Sequence, residues 1–293
     1  MSKEEVDVIM DKFFELQNTL SKFEKEEEKA SFVEENLDTF KIASNLIQYL
    51  ISKNEFKIHY QPQVSDNDNW TSAEALFRLK YNDRAIYPDV VFFLSKYFNY
   101  EKELTLSLLD RVCKDTNIIK QESSTDFYVT YNINPKLINK EFCKEIIKTV
   151  YQNELSPKNI GIELLEVSSF DNIDLDDINL LKQYGFKILV DDFGTGYADE
   201  DVVKRIPFDI VKFSDKLITG IDKQENLDNK NRVKEIVDYC KSNGIKTVAE
   251  HVETKEELNT VRDLGIDKVQ GWYFSKDLPL DTFISKCNKK SIV

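Results

Sequence analysis

Runs of apolar residues alternate with longer amphipathic segments along most of the chain. The apolar runs predict eight strands, at residues 56–64, 72–79, 127–134, 160–166, 187–193, 209–214, 246–252 and 268–274. Helical periodicity fills the segments between them. Strands that alternate with helices predict a mostly parallel sheet, and eight such units fit a closed barrel better than an open sheet. The pattern therefore predicts an α/β fold, a (β/α)8 barrel.

Three glycines mark the joints between these units. Gly185, Gly244 and Gly265 each stand between a polar helix-like segment and an apolar run. Glycine adopts the left-handed conformation that ends many helices, so each is expected at a helix C-terminus. The sequence has no GxGxxG segment after a predicted strand, which disfavours an open dinucleotide-binding sheet.

The first 50 residues have a different pattern. A seam with alternating spacings of three and four predicts one helix, closed by the run EKEEEK: Val6, Ile9, Phe13, Leu16, Leu20 and Phe23. Ser31 and Glu34 read as a capping box that opens a second helix. The seam is short for an autonomous coiled coil, so packing against the barrel and dimerisation both remain open.

Composition narrows the class of protein. The net charge of −13 provides no basic stripe for a nucleic-acid polymer. There is no apolar run of the roughly 20 residues that span a bilayer, and the N-terminus does not resemble a secretory leader, so a cytoplasmic protein without membrane insertion is expected. Four widely spaced cysteines and two histidines predict neither a disulfide framework nor a zinc site.

Polar residues interrupt or end most of the predicted strands. They are Glu74, Asn132, Glu163, Glu166, Asp191, Asp192, Lys212, Glu250, Glu253 and Gln270. Alone, a pair such as Asp191 and Asp192 is more often a solvated turn than a metal site. The carboxyl ends of barrel strands share one face, however, and oxygen ligands gathered there suit Mg²⁺, Mn²⁺ or Ca²⁺ better than zinc. Asp191 is best placed to bridge two ions.

Seven segments together resemble a known family. EALFR, NIN, ELLE, DDFGTGY, VKFS, AEHVET and QGWYF, in this order, resemble the EAL family of bacterial cyclic di-GMP phosphodiesterases. The resemblance runs from about Asn45 to about Asp281 and implies a TIM-like (β/α)8 barrel with an antiparallel first strand. We expect the barrel domain at residues 45–293, after an N-terminal helical segment at residues 1–44 that the resemblance does not cover. It also implies hydrolysis of cyclic di-GMP to linear pGpG with two Mg²⁺ or Mn²⁺ ions, and a homodimer.

The resemblance also implies roles for individual residues. The first metal would be held by Glu74, Asn132, Glu163 and Asp191. The second would be held by Asp191, Asp192 and Glu250, with Gln270 reaching a metal-bound water. Lys212 would lie beside the attacking water and Glu250 could accept its proton. Gln61 and Arg78 resemble the substrate contacts, and Glu166 and Glu253 resemble residues that couple the site to a loop. Trp272 could stack on a guanine or simply pack at the rim.

Some positions depart from the family pattern. Ser214 stands where an Asp is usual, Leu79 where a Trp is usual, and His251 where a Gly is usual, while Ala198 and Asp199 replace two serines. The first hypothesis is an active phosphodiesterase, because every implied metal ligand is present. The alternative is a non-catalytic or weakly active cyclic di-GMP receptor that signals through its N-terminal helices. A scaffold that keeps only the fold has no need of the carboxylates, so it is disfavoured.

Overall fold

The computed structural model describes residues 2–123, 126–165, 173–194 and 200–290 of the chain. The chain forms two compact units, one made of Met1–Ile58 with Phe77–Leu108 and the other of His59–Leu76 with Leu109–Val293. The predicted domain boundary at residue 44 stays a prediction. Within the described ranges, no helix combines the length and the apolar character needed to cross a membrane.

Helices and strands alternate through most of the described chain. The helices are α1 Lys3–Leu20, α2 Glu26–Glu35, α3 Leu37–Ser52, α4 Pro88–Tyr97, α5 Glu101–Glu122, α6 Lys140–Gln152, α7 Leu175–Tyr184, α8 Glu200–Arg205, α9 Asp215–Ile218, α10 Leu227–Ser242, α11 Lys255–Leu264 and α12 Leu280–Lys290. The strands are β1 Lys57–Ser65, β2 Trp70–Tyr81, β3 Arg84–Ile86, β4 Tyr128–Ile133, β5 Ile160–Leu165, β6 Lys187–Phe193, β7 Ile210–Phe213, β8 Lys246–Ala249, β9 Lys268–Val269 and β10 Leu278–Pro279.

Eight of these strands close into a barrel. The order β1-β9-β8-β7-β6-β5-β4-β2 returns to its start because β1 also pairs with β2. Strand β1 is antiparallel to β9, whereas β2 and β4 to β9 run parallel to one another. The predicted α/β fold, a TIM-like barrel with an antiparallel first strand, is confirmed.

The barrel strands are apolar in sequence because both of their faces are covered. All four residues of β7 are buried, and parallel strands with helices outside and side chains inside are expected to read as continuous apolar runs. Inside the barrel, one buried layer combines residues of β4, β6, β7 and β8: Tyr128, Leu189, Ile210 and Val248.

The last two barrel strands are shorter than predicted. The strand predicted at 246–252 ends at Ala249, and the strand predicted at 268–274 ends at Val269. His251 turns the first off the barrel with φ 56°. Beyond Val269 the chain forms a turn in which Phe274 N donates to Gly271 O over 3.1 Å. The pattern of apolar residues within each segment does not predict these turns. The short strands β3 and β10 were not predicted.

The N-terminal helices differ in part from the prediction. Ser31 lies inside α2 and does not open a helix. The run EKEEEK does not close a helix either, since Glu26, Glu27 and Glu28 form the first turn of α2, where negative charge suits the helix dipole. The capping box at this end of the chain is formed instead by Ser2 and Glu5, at the start of α1.

The buried face of α1 is displaced from the predicted seam. It consists of Met10, Phe13, Phe14, Gln17 and Leu20, while Ile9 and Leu16 are half-buried. Gln17 can be buried because its side-chain amide forms hydrogen bonds with backbone groups of the same unit. Its Nε2 donates to Ala85 O over 3.0 Å, and its Oε1 accepts from Tyr87 N over 3.2 Å. The periodicity of apolar residues alone could not identify a buried amide.

Candidate active site

Polar side chains from seven barrel strands meet in the second unit. Five lie on strands and two directly follow one: Glu74 on β2, Asn132 on β4, Glu163 on β5, Asp191 on β6, Lys212 on β7, Glu250 after β8 and Gln270 after β9. Asn132 and Glu163 are register partners across β4 and β5. All but Asn132 are buried, so the carboxyl ends of the strands bring these predicted residues together.

Lys212 lies at the centre of this arrangement and is fully buried. Its Nζ forms ion pairs with four carboxylates, which we name the acid cluster: Asp191 at 2.6 Å, Glu163 at 2.9 Å, Glu250 at 3.0 Å and Glu74 at 3.3 Å. Four carboxylates and one ammonium leave a formal excess of three negative charges (4 − 1 = 3). The four acids therefore have more negative charge than the lysine can balance.

Burial and crowding shift the pKa values of the acids. Burial raises the pKa of Glu163 well above its ordinary value, and the negative charge of Glu74 adds to this shift. Burial also raises the pKa of Glu250 and of Asp191, although Lys212 opposes the shift in both. Glu74 is the exception: burial acts in the same direction, but Lys212 and two amides hold its pKa below the ordinary value. Protonation of some of these acids, together with the charge of Lys212, thus reduces the excess negative charge of the cluster.

Amide side chains hold Glu74 in place. Asn132 Nδ2 donates to Glu74 Oε1 over 3.0 Å, and Gln270 Nε2 donates to Glu74 Oε2 over 2.6 Å. The same Gln270 nitrogen lies 3.2 Å from Gln61 Oε1. Gln270 therefore faces the cluster with its nitrogen, and its role toward a metal-bound water stays a prediction.

The residues present fit a divalent cation. Ligand oxygens of Glu74, Glu163 and Asp191 all lie within 4.8 Å of one another. Asn132 Oδ1 and Glu163 Oε1 are buried acceptors without a hydrogen-bond partner among the described residues. An unpartnered buried acceptor is costly in free energy unless something binds it. Buried carboxylate and amide oxygens are the ligands that Mg²⁺ and Mn²⁺ prefer.

Two residues at the mouth of the barrel have left-handed backbone. Asp192 has φ 55° and His251 has φ 56°, and each follows an acid of the cluster. The turn at Asp192 leaves its side chain exposed. Partial desolvation of its carboxyl group raises the pKa of Asp192, and the neighbouring charge of Asp191 raises it further, to about 6. Asp192 is thus beside the acid cluster but outside its buried set.

The other predicted site residues lie in several places. Trp272 is 59% exposed, with Lys276 Nζ 4.1 Å from its ring centroid. Glu253 is exposed, before α11. Arg78 belongs to the first unit, where its Nη1 donates to Phe77 O over 2.8 Å. Glu166 lies outside the described residues. The roles given to these four stay predictions.

Ser214 is buried where the family pattern has an Asp. Its exposed fraction is 0%, and its Oγ has no hydrogen-bond partner among the described residues. It stands directly before the four-residue helix α9 without capping it. The hydroxyl therefore supplies no charge near Lys212, as its chemistry predicts.

Sequence reasoning missed a line of polar residues that leads away from Glu74. Gln63 Nε2 donates to Gln270 Oε1 over 3.1 Å, and Ser72 Oγ donates to Gln63 Oε1 over 2.7 Å. Lys268 Nζ donates to Ser72 Oγ over 2.7 Å, and burial lowers the pKa of this lysine to about 7. The available signal was Gln61 and Gln63 two residues apart on β1, a spacing that places both amides on one face of the strand.

Gly271 allows the backbone after β9 to lie directly against Val252. A Cβ at this position would lie 2.1 Å from Val252 O and 2.5 Å from Val252 N. Gly271→Ala should therefore lower the free energy of unfolding by about 3 kcal/mol, because backbone atoms must move. Urea unfolding followed by circular dichroism measures the loss.

Gly244→Ala is the matched control for this prediction. Gly244 has φ 71°, and a Cβ there would meet nothing within 4 Å, so only backbone strain of about 1 kcal/mol is expected. Equal losses from the two substitutions would show that the contact with Val252 does not matter.

Comparison with known proteins agrees with this geometry. The family model described as "EAL domain" matches residues 44–277. The "Probable cyclic di-GMP phosphodiesterase PdeA" of Escherichia coli K12 is 28% identical over 239 residues, 80% of this chain and 32% of that protein. PdeB of the same organism, given the same description, is 27% identical over 259 residues, 87% of this chain and 49% of that protein. The chain thus spans about a third to a half of these relatives.

A solved structure shows the same architecture. The crystal structure of an EAL domain protein from Listeria monocytogenes EGD-e superposes with a TM-score of 0.71 at 27% identity, covering 84% of this chain and 97% of that one. The barrel fold of this chain is thus also that of a solved EAL domain protein. The chain belongs to the EAL domain family.

Proposed function

We propose that the protein hydrolyses cyclic di-GMP to linear pGpG and that it needs two divalent cations, Mg²⁺ or Mn²⁺, to do so. One observation carries the proposal: the acid cluster is buried, would exceed the charge of Lys212 by three negative charges if all four acids were ionised, and includes acceptor oxygens without partners among the described residues. A substrate with two phosphodiester groups would be repelled by such a site. Cations make the site attractive to it.

Each cation has a set of oxygen ligands in the chain. Glu74, Asn132, Glu163 and Asp191 would hold the first ion, and Asp191, Asp192 and Glu250 the second. When bound, the ions would polarise the phosphodiester and stabilise the leaving 3′ oxygen. Gln270 orients Glu74 through the 2.6 Å contact, so it positions the first set of ligands.

Proton transfer falls to Glu250, with Lys212 beside it. The two groups are 3.0 Å apart, and burial raises the pKa of Glu250, which suits a group that accepts a proton from water and later releases it. The acids keep Lys212 charged, because they raise its pKa in spite of burial. An ammonium here can orient water and stabilise negative charge on a phosphate oxygen.

Relatives support the choice of substrate. The two E. coli relatives are described as cyclic di-GMP phosphodiesterases. A Klebsiella pneumoniae structure, BlrP1, described as a calcium and cyclic di-GMP complex, has a TM-score of 0.66 at 22% identity, covering 77% of this chain and 56% of that one. We extend the substrate to this chain, with Gln61, Arg78 and Trp272 as its contacts. A cytoplasmic homodimer is part of the same proposal.

A receptor with little or no turnover is the second candidate. Ser214 favours it, because a buried hydroxyl without a partner replaces a carboxylate close to Lys212. The groups proposed to hold cations and substrate would be unaffected by this change. Such a protein would bind cyclic di-GMP with metal and release it unchanged.

Chromatography of cyclic di-GMP incubated with the protein and Mn²⁺ separates the two candidates. We expect pGpG as the product, with loss of at least about 100-fold in rate for Asp191→Asn, about 2.7 kcal/mol of transition-state stabilisation. Asp222→Asn, which neutralises an exposed acid, should match the wild type. Binding without product would identify a receptor. Equal rates in both variants would show that the cations are not held by Asp191.

A further inference from the structure

A second polar cavity lies at the opposite end of the barrel from the acid cluster. It encloses about 410 Å³. The first residues of five strands line it: Tyr128 of β4, Lys187 of β6, Ile210 of β7, Lys246 of β8 and Lys268 of β9. Asp209, Gly244 and Asp267 are also at its edge. We name it the amino-end cavity, and the proposed phosphodiesterase chemistry makes no use of it.

Both aspartates of the amino-end cavity are already paired. Asp209 Oδ1 accepts from Lys182 Nζ over 2.7 Å, and its Oδ2 accepts from Ile188 N over 2.8 Å. Asp267 Oδ1 accepts from Lys246 Nζ over 2.7 Å. Its Oδ2 accepts from the backbone nitrogen and the hydroxyl of Thr247, each over 3.0 Å. These acids leave little capacity for another cation.

Two lysines of the amino-end cavity lack such a partner. Within the described part of the chain, no carboxylate forms an ion pair with Lys187 or Lys268. Lys268 Nζ instead contacts the hydroxyl groups of Ser72, at 2.7 Å, and Tyr128, at 2.9 Å. Lys187 Nζ lies 5.0 Å from the centroid of the Tyr128 ring. Two lysine side chains therefore approach one phenol at the same cavity, in a protein whose net charge is −13. Because burial lowers the pKa of Lys268 to about 7, an anion bound beside it would favour its charged form.

Tyr128 adds a hydrogen-bond donor to these charges. Burial raises the pKa of Tyr128 to about 12, so the phenol keeps its proton at neutral pH. Its oxygen accepts from Lys268 and the hydroxyl also forms a hydrogen bond with Ser72, so its hydrogen can turn from Ser72 to a ligand. Two lysine side chains and a hydroxyl group around one cavity form the kind of donor set that binds a phosphate group.

We propose that the amino-end cavity binds a tetrahedral oxyanion, either free phosphate or the phosphate of a small monoester, through Lys187, Lys268 and Tyr128. The cavity is larger than one phosphate group requires, so a monoester has room for its organic part. The line of hydrogen bonds from Lys268 through Ser72, Gln63 and Gln270 connects this site to Glu74. A bound anion would therefore act on the residues that position Glu74.

Calorimetric titration of metal-free protein tests the proposal without using enzymatic activity. Inorganic phosphate and glycerol 3-phosphate are titrated separately in chelator-containing buffer, with chloride keeping the ionic strength constant. Without metal the acid cluster repels anions, so it does not compete for the ligand. We expect saturable binding of at least one of them. Tighter binding of glycerol 3-phosphate would identify a monoester site, and binding of phosphate alone a site for the free ion.

Three variants locate the binding. Lys268→Met and Lys187→Met should each weaken it about tenfold or more. Lys144→Met, which removes the same charge at an exposed position of α6, should leave it unchanged. Lys187 is half-buried at the start of β6, so its variant keeps the test valid if Lys268→Met does not fold. The absence of saturable binding in the wild type, or equal weakening by Lys144→Met, would overturn the proposal.

Discussion

Millimolar Mn²⁺ will raise the melting temperature of metal-free protein, and Asp191→Asn will remove most of the rise. The acid cluster exists only in the native state, so a cation bound there stabilises that state by mass action. At one hundred times the dissociation constant the gain is about 2.7 kcal/mol. For a chain of this size that corresponds to roughly 5 °C or more. Differential scanning calorimetry with and without the ion measures it.

Asp191 is the residue to change because it belongs to both proposed ligand sets. Its carboxylate is buried, and it is one of the three acids whose oxygens lie within 4.8 Å of one another. Asp222→Asn, at an exposed acid, controls for the loss of one negative charge from the surface. A shift of equal size in both variants would place the ion elsewhere on this acidic protein. No shift in the wild type would favour a scaffold without a metal site.

Lys212→Met will destabilise the metal-free protein by about 3–5 kcal/mol. The ammonium is the shared partner of four buried carboxylates, and removal of one partner from a buried ion pair leaves uncompensated charge. Mn²⁺ should then stabilise the variant more than the wild type, because the cation no longer competes with a fixed positive charge. Chemical denaturation with and without Mn²⁺ gives both numbers.

The pH dependence of the Lys212→Met deficit provides a check. Because the native pKa values of Glu163 and Glu250 are raised above the ordinary value of 4.5, protonation of these acids favours folding. This contribution is complete below about pH 4.5 and is lost as the pH rises through the raised native values. The deficit should therefore grow from acidic to alkaline pH. Lys114→Met, at an exposed lysine paired with Asp110, should cost less than about 1 kcal/mol at any pH.

A deficit as small as that of Lys114→Met would contradict this interpretation of Lys212. It would show that the acids are neutral without help from the lysine. If Lys212→Met folds only when metal is present, denaturation curves recorded at decreasing Mn²⁺ concentrations still measure how its stability depends on the ion. That outcome would strengthen the interpretation, since the ion would then replace the missing ammonium.

Strand positions could be predicted because a covered parallel strand has a simple sequence. The strand predicted at 187–193 has the bounds that the structure gives β6. The strand predicted at 268–274 failed because its second half is equally apolar but forms a turn against Val252. That turn depends on a contact between two backbone segments, made possible by Gly271. A local pattern does not contain such a contact.

The residues of the acid cluster could be predicted, but their arrangement could not. Polar residues at the ends of several apolar strands indicate convergence, since parallel strands end on the same face of a barrel. The contact of Lys212 with four acids depends on how far each strand is shifted along its neighbours. Gln63 was missed for a related reason. Its partners are Ser72 on β2 and Gln270 directly after β9, and only the closed barrel places them beside it.

The line from Lys268 to Glu74 has a fixed polarity. An ammonium can only donate hydrogen bonds and an ionised carboxylate can only accept them. When Lys268 is protonated and Glu74 is ionised, every link between them must donate in the same direction, and the observed links do so. The amide groups of Gln63 and Gln270 therefore cannot flip independently, and their dipoles point in the same direction along the line. The protein thus has a short internal row of aligned dipoles whose positive end points at Glu74 and so stabilises the negative charge of that carboxylate.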